Sequence, residues 1–274
     1  MARKRAPNSH ERLGYVPFDR VAETFDRTRF IPVEALRRTY RLVFEKVDFK
    51  GEITILDAGV GTGRMIRPLM QRKVTLIGID ISLPMLSKLR RRYEALRRRM
   101  LLHVILAEVT HLPIRNSSVT WVQSTHLLHL LRNWKTAVRE WERVLSPNGL
   151  LVVFQESGRP SSVRVAYDRA ITRTTPLRRR GWRVYSKLTR YLRQAGWRTH
   201  QDKIEWIRKT SLATVLRSFE NRSYSRQWDL PDEIHAKAIA NARAFVKQQY
   251  SRGIKSEKAP GSLLVLRATR SPKK

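Results

Sequence analysis

The chain reads as an α/β protein with a parallel sheet covered by helices on both faces. Three features predict this. Strand-like and helix-like runs alternate from Glu52 to Glu156, the pattern of consecutive parallel strands joined by helical crossovers. A glycine-rich turn, Asp57-Ala-Gly-Val-Gly-Thr-Gly63, directly follows the first strand-like run. A second acid, Asp80, closes the next apolar run, Val74 to Ile79. Strand, glycine turn, helix, strand and terminal acid make up the first half of a nucleotide-binding crevice.

The elements follow in order. Residues 1 to 14 form a basic tail, and a single domain over 15–274 accounts for the rest. Val33, Leu36, Tyr40, Val43 and Val47 mark an amphipathic helix, with Pro32 suited to its first turn. Strands are expected near 52–57, 73–79, 102–107, 119–124 and 149–155, and helices near 62–71, 84–99 and 134–145. Pro68 falls inside the 62–71 segment and is expected to kink it or mark a short first turn. Leu86, Leu89, Tyr93, Leu96 and Met100 give the next helix a buried stripe and leave its arginines outside. Pro147-Asn148-Gly149 is a turn signal.

After Glu156 the alternation stops. Basic helical stretches near 160–175 and 180–194 precede a strand near 203–208, a helix near 210–220 and another from Pro231. Early acids in that last helix, Asp232 and Glu233, suit the positive end of its macrodipole, and Ile234, Ala238, Ala242 and Phe245 give it a stripe. Leu263 to Arg267 supplies a final strand within 261–270.

Composition narrows the function classes. The chain contains no cysteine, which excludes disulfides, Cys-bound zinc, iron–sulfur ligation and thiol nucleophiles. No uncharged apolar run reaches the ~18–20 residues of a spanning helix, and the basic N-terminus lacks the apolar stretch of a secretory signal. A cytoplasmic location is the expectation. With 56 Lys+Arg against 23 Asp+Glu, the formal charge is +33. Such a surface attracts polyanions, so nucleic acid stands as a partner beside the plainer alternative of a solvated basic surface. Residues 159–198 hold twelve Lys/Arg and one acid, interleaved with Tyr167, Trp182, Tyr185, Tyr191 and Trp197. Those aromatics could stack on bases or form the apolar side of a helical insertion, and the sequence leaves both open.

The glycine spacing discriminates among nucleotide sites. A dinucleotide fingerprint needs a third glycine where this chain has Arg64 or Ile66, and no Gly-Lys-Ser/Thr follows to make a P-loop. Glycines at 59, 61 and 63 still allow a sharp turn and a close backbone approach to a ligand.

Asp-x-Gly-x-Gly-x-Gly with an acid at the next strand end resembles the class I S-adenosylmethionine-dependent methyltransferases. Gly78-Ile-Asp80-Ile-Ser82 with Met85-Leu86, Ala107-Glu108 with Leu112-Pro113, Ser124 to His129, and Glu140 to Gly149 resemble that family's later motifs in order. Phe18 to Arg29 resembles the segment that folds over the cofactor in the ubiquinone/menaquinone-biosynthesis-like, type 11 branch. The likeness covers residues 18 to 156, about half the chain.

The resemblance implies a three-layer Rossmann-like fold. Its seven-stranded sheet is mostly parallel with the last strand antiparallel, and a helical insertion follows strand five. It divides the chain into a cofactor-binding core over 15–156, basic helical and acceptor-side elements over 157–260, and the last strand at 261–270.

It also implies S-adenosylmethionine as methyl donor, no metal, and an acceptor that is a small or lipid-like molecule. RNA methylation and a non-catalytic binding role are the alternatives. Carried over residue by residue, Gly59, Gly61 and Gly63 face the methionine moiety, and Asp57 favours its cationic side. Asp80 takes the ribose hydroxyls, Glu108 and Val109 flank adenine with Ile81 as a wall, and Phe25 and Arg29 close a lid. Departures from the family pattern are Glu108 in place of a shorter Asp, and Thr120 in place of an Asp. His126 is the candidate general base, needed only if the nucleophile must lose a proton; His129 and His111 read as structural.

Overall fold

A computed structural model describes residues 18–47, 49, 51–94, 101–158, 160–172, 180–250 and 254–270. The tail before Phe18, Arg97 to Arg99, Leu96, Met100, Arg178 and Arg179 lie outside the described residues.

Seven strands form one sheet: β1 Thr54–Ala58, β2 Thr75–Asp80, β3 Leu101–Leu106, β4 Val119–Thr125, β5 Leu145–Gly158, β6 Trp197–Ser211 and β7 Ser256–Arg270. Their order is β3-β2-β1-β4-β5-β7-β6. All neighbours run parallel except β7, which is antiparallel to both β5 and β6. The expected seven-stranded sheet with its antiparallel last strand is therefore present. The order reverses beside β1, so the ends of β1, β2 and β4 open onto one crevice.

The helices are α1 Phe25–Thr28, α2 Val33–Glu45, α3 Leu83–Tyr93, α4 Trp134–Val144, α5 Ser162–Thr172, α6 Arg180–Gln194, α7 Leu212–Glu220 and α8 Asp232–Gln249. Each central strand sends alternate residues into two separate cores. Ile55, Trp121, Leu150, Val152 and Phe154 pack beneath α2 and α3. Leu56, Val122, Leu151 and Val153 pack against α4 and α6. Sequence runs such as Leu150 to Phe154 are continuously apolar because both faces of the strand are buried.

Two expectations need correction. The segment 62–71 is not an α-helix: turns lead from Gly63 into a short 3₁₀ helix, Arg67–Gln71. Pro68 sits in its first turn, where the missing N–H costs nothing, and the glycines before it cannot hold a helical start. The Pro147-Asn148-Gly149 signal becomes an irregularity within β5, where pairing jumps from Val119↔Leu145 to Trp121↔Leu150.

Residues 159–198 split between two structures. α6 lies on the sheet, with Tyr185, Leu188 and Leu192 in the core under it. α5 joins α7 and α8 in a third cluster built on Val163, Tyr167, Ile171, Leu212, Phe219, Ala238 and Ala242. The cap over the crevice is thus composite, from the segments after β5 and after β6. Tyr167 stacks on Phe219 at 4.2 Å, Tyr191 meets Trp134 edge-on, and Trp197 is buried with its indole N–H donated to Glu142. These rings are used in packing; the Trp182 side chain lies outside the described residues. No helix among the described residues is long and apolar enough to cross a membrane.

At the outer edge of the sheet Trp206 pairs with Gly261 and lays its indole over that residue. A Cβ there would lie 2.5 Å from the ring. Gly261→Ala should therefore cost about 1–3 kcal/mol through displacement of Trp206, read as a lower urea midpoint with altered tryptophan emission.

Candidate functional site

The crevice begins where β1 ends. Gly59, Gly61 and Gly63 all have positive φ, at +80°, +55° and +71°. The N–H groups of Gly59 and Val60 bond to the Ile79 carbonyl at 2.8 and 2.9 Å, which folds the turn back on the end of β2. The three glycines serve different ends. A Cβ on Gly63 would meet Tyr93 at 2.9 Å and Leu89 at 3.1 Å, so this glycine lets α3 pack closely, and the Tyr93 hydroxyl donates to its carbonyl. A Cβ on Gly59 would press on Leu127. Gly61 faces open space, with nothing nearer than Asp80 Oδ2 at 4.0 Å. Of the three, only Gly61 keeps a cradle open.

Asp80 is clamped by backbone. Gly61 N–H donates to Oδ2 at 2.8 Å and Ser82 N–H to Oδ1 at 2.9 Å. The Ile81 N–H also hydrogen-bonds to this carboxylate, which still has acceptor capacity for a further donor. Burial pushes its pKa up, against these hydrogen bonds. Asp57 lies beneath the turn, 3% exposed. Its Oδ2 accepts from Gln123, which in turn accepts from the Tyr40 hydroxyl, while Oδ1 is buried with no partner. Burial raises Asp57 to about 7.

The N-terminal segment straps across this turn. Thr62 donates to Asp26 at 2.6 Å, Ser82 donates to Asp19, and Arg92 and Lys88 pair with Asp26. Lys88 also donates to the carbonyls of Ala22 and Glu23. From the strap, Arg29 stands over the Phe25 ring at 4.4 Å and donates to the Ser223 carbonyl of the cap. Phe18 meets Trp228 of the cap edge-on at 5.1 Å. Arg29 and Phe18 thus join strap to cap, and Phe25 packs beneath Arg29.

Other expected residues are placed as follows. Ile81 is half-buried just past β2. Glu108 accepts from Thr110, and Val109 is buried in the core on the α4 side. Thr120, which replaces an Asp, exchanges hydrogen bonds with the Thr54 backbone and ties β4 to β1. His126 ends β4 with φ +54°, a left-handed conformation uncommon for a side-chain-bearing residue. Its Nε2 accepts from the Glu156 N–H at 3.0 Å. The same nitrogen lies 3.6 Å from the Glu156 carboxylate, so the ring sits against the end of β5. Burial and then the neighbouring His126 lower His129 to about 4, which keeps it neutral.

Sequence reasoning missed Glu156, Arg64, Arg208, Asp19 and Asp26. Glu156 ends β5 beside the crevice; burial opposes its ionisation, but His126 and the charges of Arg64 and Arg208 outweigh that and hold it near 2. Its position at a strand end was the available signal.

Known proteins bear on this arrangement. Residues 56–153 match the sequence family described as Methyltransferase domain. A malonyl-[acyl-carrier protein] O-methyltransferase of Methylovorus sp. is 31% identical over 145 residues, covering 49% of this chain and 47% of that protein. A demethylmenaquinone methyltransferase of Renibacterium salmoninarum is 30% identical over 162 residues, covering 58% and 65%. The chain therefore spans between about half and two thirds of the length of these curated relatives. In three dimensions it resembles the YcgJ protein of Bacillus subtilis with a TM-score of 0.57 over 88% of this chain and all of that one, at 12% identity, a likeness of fold.

The raised acid at position 57 has a stability consequence. A carboxyl whose folded pKa is raised stabilises fully below its unfolded value near 4 and loses that contribution as pH rises through about 7. The His129 contribution has the opposite sense, being lost as pH falls from 6.5 through about 4. It is common to wild type and Asp57→Asn, so the difference between them isolates Asp57. Between pH 5 and 8 the ligand-free wild type should lose on the order of 2 kcal/mol relative to the variant, measured by urea midpoints.

Proposed function

We propose that this chain, which carries a methyltransferase domain over residues 56–153, is an S-adenosylmethionine-dependent methyltransferase acting on a small-molecule acceptor. The observation that carries the reading is the pairing of the open Gly61 cradle with the clamped Asp80 and the unpartnered Asp57 Oδ1. The residues fit an amino-acid nucleoside. A buried carboxylate oxygen without a donor suits an ammonium group, and the remaining acceptor capacity of Asp80 suits a ribose hydroxyl. When bound, that cofactor supplies a methyl group on a cationic sulfur, already a good leaving group.

The chain's own residues bind, orient and exclude water. Asp80 and Gly61 fix the nucleoside end, and Asp57 holds the cationic end against a core that Gln123 and Tyr40 keep rigid. Ile81, Glu108 and Val109 line the base side. Phe25 and Arg29 on the strap close the crevice against the cap. Positioning of this kind can supply most of the acceleration, with reacting atoms held ~3–3.5 Å apart. His126 lies against Glu156 and is the candidate base where the nucleophile must lose a proton. The names of the relatives, a malonyl-acyl carrier and a demethylmenaquinone methyltransferase, draw the proposal toward metabolic acceptors.

Calorimetry with S-adenosylhomocysteine should show one site per chain. Asp80→Ala should weaken it by at least ~10-fold, the loss of a charge-assisted hydrogen bond, while the circular dichroism spectrum is retained. No heat of binding with wild type would defeat the proposal.

A further inference from the structure

The acceptor end of the crevice carries more buried positive charge than its own acids can balance. Arg64 and Arg208 reach Glu156 from either side, at 3.6 and 3.8 Å. Glu156 is also the carboxylate nearest His126. Arg29 has no carboxylate within ion-pair distance among the described residues, yet burial lowers its pKa to about 10, helped by the charges of Arg64 and Arg164. Its other contacts are the Thr28 hydroxyl and the Ser223 carbonyl. Arg208 Nε is buried and has no hydrogen-bond partner.

Two of these guanidiniums, Arg29 and Arg64, are held by aromatic faces. Arg29 and Arg64 both stand over Phe25, at 4.4 and 5.7 Å. Arg29 and Arg164 both stand over Tyr224, at 5.4 and 4.2 Å. Arg164 has its own acid in Asp168, at 4.0 Å. Arg64 and Arg208 therefore share one carboxylate, and Arg29 beside them has none within ion-pair distance among the described residues. Arg64 and Glu156 are only 14% and 17% exposed, so solvent screens the excess poorly. Cation–π contacts fix where Arg29 and Arg64 sit but do not neutralise them. Planar guanidiniums gathered in this way match a carboxylate or phosphate.

We propose that Arg29, Arg64 and Arg208 form an oxyanion-binding subsite, and that the methyl acceptor is a small molecule bearing a carboxylate or phosphate group that docks there. The inference rests on the methyltransferase reading above and specifies its acceptor class. Residues from the strap (Arg29), the turn after β1 (Arg64) and β6 (Arg208) meet at the anion, so acceptor binding draws the lid onto the cap. Glu156 limits the excess and sets the guanidiniums apart.

The test is calorimetry at low ionic strength on the full chain saturated with S-adenosylhomocysteine, using succinate, glutarate, inorganic phosphate and uncharged dimethyl succinate as probes. At least one oxyanion should bind at a single site per chain, and dimethyl succinate should not. Arg208→Gln should weaken the oxyanion by ~10-fold or more, Arg208→Lys by less, and both should bind S-adenosylhomocysteine as wild type does. Preference for the dicarboxylates would assign a carboxylate acceptor, and preference for phosphate a phosphorylated one. If S-adenosylhomocysteine binds but no oxyanion does, or if oxyanion binding is the same in Arg208→Gln and Arg64→Gln as in wild type, the subsite is refuted alone. If S-adenosylhomocysteine itself does not bind, the methyltransferase reading falls and this one with it.

Discussion

The hydrogen bond from Gly61 N–H to Asp80 Oδ2 is the tie from which the crevice is built. It joins the turn after β1 to the end of β2, and it forms only because the turn runs through three residues with positive φ. Left-handed backbone costs an L-residue roughly 1–2 kcal/mol per position, so glycine is required where the turn bends most sharply. Once the tie is made, Ser82 N–H fixes the other oxygen of Asp80, and Ser82 itself caps α3 through Met85 N–H. The first turn of α3, the end of β2 and the glycine turn are thereby one rigid unit. Asp57 remains under that unit as a buried carboxylate with one unmatched oxygen.

The strap explains how so basic a chain organises its few acids. Glu23 and Asp26 pair with Arg91, Arg92 and Lys88 on the outer side of α3, and Asp19 takes the Ser82 hydroxyl. Several of these contacts are partly exposed, where each ion pair is worth little alone. Together they lay residues 18–31 along the crevice and present Arg29 to the cap. The basic face of α3 is thus used by the chain itself, at least in part. On the far side Glu156 is paired with Arg64 and Arg208, whereas Asp57 and Asp80 lie beside the glycine turn.

Much of this was legible in the sequence, and the physical reason is period and punctuation. Strands buried on both faces read as unbroken apolar runs, so β1, β2, β4 and β5 were placed within a few residues. Amphipathic stripes located α2 and α3, the second as far as Tyr93 within the described residues. The 62–71 segment misled because its apolar residues are helical in spacing while Pro68 and three glycines hold it to turns and a short 3₁₀ helix. β6 was underestimated: it runs from Trp197 to Ser211 at the sheet edge, where exposed alternating polar residues mask its length. The aromatics between 159 and 198 were ambiguous because their stripe has no direction until a partner surface is specified.

What the sequence determined by itself was the sheet, the glycine turn and the acids that close β1 and β2, since each depends on neighbours within a few positions. Tertiary structure alone decided which acids and arginines face one another. Glu156, Arg64, Arg208 and Arg29 are separated by tens to more than a hundred residues and come together only because the strap, the parallel sheet and the composite cap converge at the ends of β4 and β5. Local pattern encodes how a segment buries its own apolar face. It carries no record of which distant charge will be desolvated beside it, and that pairing sets the chemistry of the site.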